Sequence, residues 1–277
     1  MSVPSGVPRP ERRYLQVTRL GEGDHIVEVA LNRPEAMNAI STAFAAELAG
    51  VMTQVAADPT VRVVLLTSTA VKAFCVGADL KERAQMNEAD LMAHRDISRE
   101  GYRGVLRLPM PAVAAIEGYA LGGGLELALS CDLIVAGQDS TVGLPEVSVG
   151  LIPGGGGTQL LTRRVGWARA ASMVFTAQRF QAEEAAALGV IDEVVPAGTA
   201  RERALTLAQQ IAHNSPISVR NAKSAMRAGF DVDLMSGLDI EDVQWRATAR
   251  SQDRGEGITA FNEKRPPKWH TPGTERD

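Results

Sequence analysis

Two acids stand in sequence that should exclude them. Glu126 lies within Leu125-Glu126-Leu127-Ala128-Leu129, and twenty positions on Glu146 follows Leu144-Pro145 and precedes Val147. Burying a charge without a partner costs on the order of several kcal/mol, so such acids must find donors or titrate away from their usual range. Two carboxyl groups in one pocket push their titrations apart; at neutral pH one then holds a proton while the other accepts one. That arrangement can manage a water molecule. Small residues accompany the acids: Gly122, Gly123 and Gly124 precede Glu126, and Gly77-Ala78 precedes Asp79. Bare turns expose main-chain amides, and those of Ala78 and Gly123 can converge on one oxygen. Losing one such donor typically costs about 10²–10³ in rate.

Other chemistries are served less well. A dinucleotide fingerprint beginning at Gly122 lacks its third glycine, since Leu127 stands in that place, and glycines 154–157 lack the Gly-Lys-Ser/Thr ending of a phosphate loop. Glu146 occupies the first glycine position of a nucleophile elbow around Ser148. The four histidines, His25, His94, His213 and His270, have no metal-ligand spacing and are expected on the surface or in packing roles, so no metal site is expected. Cys131 follows an apolar helix and reads as a core filler.

Stepping outward, the elements that must hold these residues alternate between strand and helix. Residues 14–20 and Ile26–Leu31 form a hairpin around Gly21-Glu22-Gly23-Asp24. Ser41 caps a helix over Thr42–Ala57, whose Phe44, Leu48, Val51, Met52 and Val55 recur at helical spacing. Residues 63–67 are a continuous apolar strand, as are Ala112–Ile116 and 131–136, with a polar helix over 88–108 between the first two. Asp79 begins a short helix after the Gly77-Ala78 turn. Glycines 154–157 open another helix, Ala182–Leu188 is a short one, and 191–195 a last strand. This is an α/β pattern. From Arg201 onward only helical spacings recur. The expected organisation is a flexible arm over 1–13, a core over 14–196 that holds the site, a helical oligomerisation subdomain over 197–265, and a flexible tail over 266–277.

At 277 residues the chain can bury a sizeable core. Its net charge of −4 argues against generic nucleic-acid binding. Two cysteines are too few for a disulfide framework, and no secretory signal core or run of about eighteen apolar residues is present. A reducing, cytoplasmic location is expected.

The motifs together resemble the enoyl-CoA hydratase/isomerase (crotonase) family. The resemblance rests on Phe74-Cys75-Val76-Gly77-Ala78-Asp79-Leu80-Lys81-Glu82-Arg83, on Gly118-Tyr119-Ala120-Leu121-Gly122-Gly123-Gly124-Leu125-Glu126, and on Pro145-Glu146 followed by Gly150-Leu151-Ile152-Pro153 and glycines 154–157. It extends over about 14–267, includes Asp253-Arg254 and Ala260-Phe261-Asn262-Glu263-Lys264-Arg265, and falls nearest the branch containing methylglutaconyl-CoA hydratase. It implies a spiral of ββα units with a C-terminal helical trimerisation region, assembled as trimers or pairs of trimers. It also implies that the amides of Ala78 and Gly123 bind a thioester oxygen, and that Glu126 and Glu146 are the two acids of a hydratase acting on an acyl-CoA. No metal or redox cofactor is implied; coenzyme A is part of the substrate. Residues 78–81 (Ala78, Asp79, Leu80, Lys81), Gly123 and Phe261 are expected at the substrate or its coenzyme A, with Arg33, Lys81 and, from a neighbouring subunit, Lys264 as candidates for the coenzyme A phosphates. The stretch 82–102 is expected to border the acyl pocket.

Three rivals remain at this point. The same scaffold can isomerise a double bond, with Glu146 alone moving a proton. The nearest branch also resembles proteins described as binding AU-rich RNA, which wants a comb of lysines; between Ser41 and Thr60 there is no Lys or Arg. A silent scaffold is the third, against which the retention of both acids and both small-residue turns speaks.

Overall fold

The structure, a computed structural model, describes residues 13–270. The arm expected over 1–13 lies outside the described residues except for Arg13, and so does the tail beyond residue 270.

In chain order the elements are β1 (Leu15–Leu20), β2 (Ile26–Leu31), α1 (Thr42–Ala57), β3 (Val63–Ser68), β4 (Ala73–Cys75), α2 (Leu80–Arg83), α3 (Glu88–Leu106), β5 (Ala112–Ile116), β6 (Tyr119–Leu121), α4 (Gly123–Leu129), β7 (Leu133–Gly137) and β8 (Thr141–Gly143). There follow α5 (Gly157–Val165), α6 (Trp167–Thr176), β9 (Arg179–Gln181), α7 (Ala182–Leu188), β10 (Glu193–Val195), α8 (Ala200–Ala212), α9 (Pro216–Gly229), α10 (Leu234–Ala249) and α11 (Gln252–Glu263). The strands sort into a six-stranded sheet, order β1-β2-β3-β5-β7-β10, and a four-stranded sheet, order β4-β6-β8-β9. Each ββα turn sends its first strand to the large sheet and its second to the small one, so β3-β4, β5-β6 and β7-β8 stack as successive turns of a spiral. Within each sheet these strands run parallel, and only β1-β2 and β8-β9 are antiparallel.

The continuous apolar strands follow from burial on both faces of the large sheet. On one face Val64, Leu66, Ala114 and Ile134 pack against Phe44, Leu48 and Met52 of α1 and Leu125 and Ala128 of α4. On the other, Ile26, Val63, Leu65, Val113 and Val135 meet Ala200, Ala204 and Ala208 of α8. Glu28, buried in β2, takes two hydrogen bonds from Arg201 at 2.7 Å each, which pins α8 to the sheet. The packing of the sheet therefore runs on past Pro196. Ser41 caps α1 as expected, accepting from the Phe44 amide at 3.2 Å.

The helices that follow are tied down by few buried contacts. Lys223 and Arg227 of α9 both bond Asp132, at 2.7 and 2.8 Å. Buried Asp253 accepts from Ser215 Oγ and from the His270 amide, and Trp269 donates to the His213 carbonyl, so residues 269–270 are anchored. Between α9 and α10 lies a largely apolar hollow of about 600 Å³, beside which Met226, Phe230, Leu234 and Trp245 remain exposed. Among the described residues no helix is long and apolar enough to cross a membrane.

Candidate active site

The chain leaves β6, turns through Gly122 and enters α4, every residue of which is buried. Glu126 falls in its first turn, 3 % exposed. Burial raises its pKa. The amides of Gly157 and Gly155, each 2.7 Å from Oε1, and the charge of Arg95 work against that rise. This is the use of glycines 154–157, to which the sequence patterns assign no ligand. A side-chain carbon at Gly155 would lie 2.8 Å from a Glu126 oxygen, and one at Gly157 2.9 Å from the other. Only bare backbone lets the amides close on the acid.

Glu146 sits beyond β8 on a single 3₁₀ turn, Glu146–Val149. Its Oε1 stands against Gly122, where a Cβ would meet it at 3.0 Å. Its Oε2 is buried and has no hydrogen-bond partner among the described residues. Burial, with the nearby charge of Glu126 as a further cause, pushes its pKa up to about 7, against the opposing pull of Arg83. The two acids thus share one site and feel each other. One is held by two amides, and the other keeps an oxygen with no protein donor among the described residues.

The two small-residue turns meet beside them. Gly77 has φ +88°, and a side chain there would press on the Gly123 nitrogen and the Leu121 carbonyl, both 2.9 Å from its first carbon. Ile40 donates to the Gly77 carbonyl at 2.7 Å and accepts from Asp79 at 3.1 Å, which fixes the backbone on either side of Ala78. The Ala78 and Gly123 amides themselves have no partner among the described residues. Both residues line a cavity of about 960 Å³ that Glu126 and Glu146 also line.

The wall opposite comes from α2 and α3, within the stretch expected to border the acyl pocket. It contributes Arg83, His94, Arg95, Ser98 and Tyr102, none of them singled out as site residues by the sequence. His94 is buried rather than on the surface, and its Nδ1 and Nε2 meet Thr42 Oγ1 at 2.8 Å and Ser98 Oγ at 3.1 Å. Burial, then the charge of Arg83, lowers its pKa, so the imidazole is neutral. Tyr102 reaches Gly123 so closely that a methyl group there would lie 2.2 Å from its hydroxyl. Burial, reinforced by Glu126, raises its pKa and keeps the phenol protonated. Helical periodicity could have found Tyr102, which shares a face with Ser98 and Val105. Nothing in the sequence says which polar residues of α3 turn inward.

The remaining candidates are dispersed. Leu80 lines the cavity, whereas Arg33, Asp79 and Lys81 stand outside its lining. Asp79 caps α2 by accepting from the Lys81 and Glu82 amides at 3.1 Å, and it holds Arg33 Nη1 at 2.7 Å. Arg33 also donates to the Ala39 carbonyl. Phe261 of α11 is 84 % exposed, and Lys264 ends that helix in a left-handed conformation; neither reaches the cavity of its own chain. Ser148 donates to the Pro145 carbonyl, and both cysteines are buried with thiol pKa values pushed up to about 12. Among the described residues no three His, Cys, Asp or Glu side chains gather as a metal site.

Comparison with known proteins adds four findings. The family profile described as enoyl-CoA hydratase/isomerase matches residues 21–272. The chain is 42 % identical over 260 residues to the mouse protein named enoyl-CoA hydratase domain-containing protein 2, mitochondrial, covering 92 % of this chain and 88 % of that one. It is 38 % identical over 279 residues to human methylglutaconyl-CoA hydratase, mitochondrial, covering 96 % and 82 %. Among solved structures, an enoyl-CoA hydratase from Bacillus anthracis superposes with a TM-score of 0.90 at 42 % identity, over 93 % of this chain and 99 % of that one.

Proposed function

The chain belongs to the enoyl-CoA hydratase/isomerase family and has its crotonase-like fold, and we propose that within the family it is a hydratase, adding water across the 2,3 double bond of a trans-2-enoyl-CoA to give a 3-hydroxyacyl-CoA. The observation that carries this reading is the pair of acids on one cavity, Glu126 buried and Glu146 half-buried, beside two uncommitted amides.

In this mechanism the Ala78 and Gly123 amides take the thioester oxygen. They stabilise the charge that builds there as the β-carbon becomes electrophilic. Glu126, its carboxylate oriented by Gly155 and Gly157, helps deprotonate a water for attack at the β-carbon. Glu146, with a pKa near 7, is placed to deliver a proton to the α-carbon. Tyr102, neutral and beside Gly123, helps shape the oxyanion end. The proposed chemistry needs no metal or redox cofactor, since coenzyme A arrives as part of the substrate.

Leu80 is assigned to the mouth of the cavity. Arg33, Asp79 and Lys81, together with Phe261 and Lys264 of a neighbouring copy, are assigned to the coenzyme A end. The exposed apolar residues of α9 and α10 fit docking between copies of the chain, as trimers or pairs of trimers. The two relatives are mitochondrial by name; for this chain, two buried free thiols suit a reducing compartment such as the cytoplasm.

The test is to follow purified protein with paired 2-enoyl and 3-enoyl thioesters by loss or gain of the conjugated enoyl absorbance. Hydration of the 2-enoyl compound to the 3-hydroxyacyl product supports the reading. Conversion of the 3-enoyl compound without hydration would assign isomerisation instead.

A further inference from the structure

We propose that the acyl chain this cavity accepts ends in a carboxylate, and that Arg83 and Arg95 recognise it. The proposal rests on the hydratase reading for the chemistry at the thioester end and adds what stands at the other.

A pocket for a plain hydrocarbon chain is expected to have apolar walls. Leu91, Met92, Leu151 and Ile152 supply part of such a wall here, but two half-buried guanidinium groups interrupt it. Neither has a carboxylate partner within salt-bridge distance among the described residues. Glu82, the acid adjoining Arg83, is turned back to accept from the Thr42 amide at 2.9 Å, so it does not neutralise them.

Arg83 is also held from behind. Its Nε lies 3.4 Å from His94 Nε2 in donor geometry, which requires that nitrogen to be bare. The ring proton then belongs on Nδ1, facing Thr42 Oγ1, while Ser98 donates to Nε2. A neutral imidazole clamped at both ends thus fixes Arg83 through its inner nitrogen and leaves its two terminal amino groups for a ligand. That is the fork which suits a carboxylate. Arg95 enters from α3, next in the chain to His94. Its central carbon would lie 3.5 Å from a Cβ at Gly154, the neighbour of the Gly155 amide that holds Glu126. Both cations therefore border the part of the cavity next to the two acids, where carbons beyond the double bond are to be found.

The same cations act on the acids, Arg95 on Glu126 and Arg83 on Glu146. Substituting either will disturb turnover of any substrate, so the decisive readout is a ratio between two ligands. Glutaryl-CoA and pentanoyl-CoA are saturated five-carbon thioesters that differ in a terminal carboxylate, and neither can be hydrated. Titration calorimetry on the purified full chain should show glutaryl-CoA bound more tightly by roughly 10- to 100-fold, the range for a charge-assisted contact. Arg83→Met and Arg95→Met should each reduce that ratio, and the double substitution should bring it toward parity. Arg95→Lys, which keeps charge but loses the fork, should fall between. Equal affinity in the unmodified protein, or a preference that survives the substitutions, would overturn the proposal. Should the double variant fold poorly, the single variants read the same ratio. Because binding is measured without turnover, a carboxylate preference without hydration sinks only the hydratase reading, and hydration without the preference sinks only this one.

Discussion

Replacing Glu146 by glutamine should inactivate the protein and stabilise it, by an amount that depends on pH. The carboxyl titrates at 4.5 in its reference state and at about 7 in the folded chain. Between those values the folded state holds a proton that the unfolded state has released, so stability falls as pH rises and levels off above about 7. The full shift corresponds to about 3 kcal/mol. Part of the side chain faces the open cavity, and solvent screening leaves roughly half of that. Glutamine has no charge to bury, so Glu146→Gln should match the unmodified protein near pH 4.5 and exceed it by about 1.5 kcal/mol at pH 8. For a chain of this length that is a rise in melting temperature of about 3 °C. Thermal unfolding of both proteins, at one protein concentration and at the two pH values, measures it. A gain of equal size at both pH values would refute the reasoning, since packing rather than titration would then be its source; so would a loss at pH 8.

Three further outcomes follow from the same geometry. Glu126→Gln should lower hydration by about 10²–10⁴ in kcat, with circular dichroism unchanged; near-full activity would remove Glu126 from the mechanism. Gly77→Ala forces a side chain onto the Gly123 nitrogen at a positive φ, and should cost about 10²–10³ in kcat/KM by displacing one oxyanion donor, read by steady-state kinetics on the same thioester. In the unmodified protein, kcat/KM should decline as pH rises through about 7, where Glu146 loses the proton it must deliver; a profile flat to pH 9 would assign proton delivery to another group.

The parts of the fold legible in the sequence are those whose burial leaves a long trace. β5 and most of β3 are apolar on both faces, β2 is so apart from Glu28, and α1 announces itself through Ser41 and five apolar positions. The strands of the small sheet, β4, β6, β8 and β9, are three residues each, too short for alternation to register. In the site, Glu126 and Glu146 stand out because an acid among apolar residues is anomalous by itself, and the structure brings both to one cavity with Ala78 and Gly123. Arg83, Arg95 and His94 are hidden for the converse reason. On helices this polar an inward-facing cation looks like any solvated one until the placement of α2 and the packing of α3 against α1 are known.

Glu126 and the amides that grip it are 29 and 31 residues apart in the chain and belong to successive turns of the spiral. No fragment that stops short of α5 can assemble the base. Enzymatic turnover should therefore serve as a late reporter during refolding, silent while the large sheet is already formed and switching on when the third turn closes over the second.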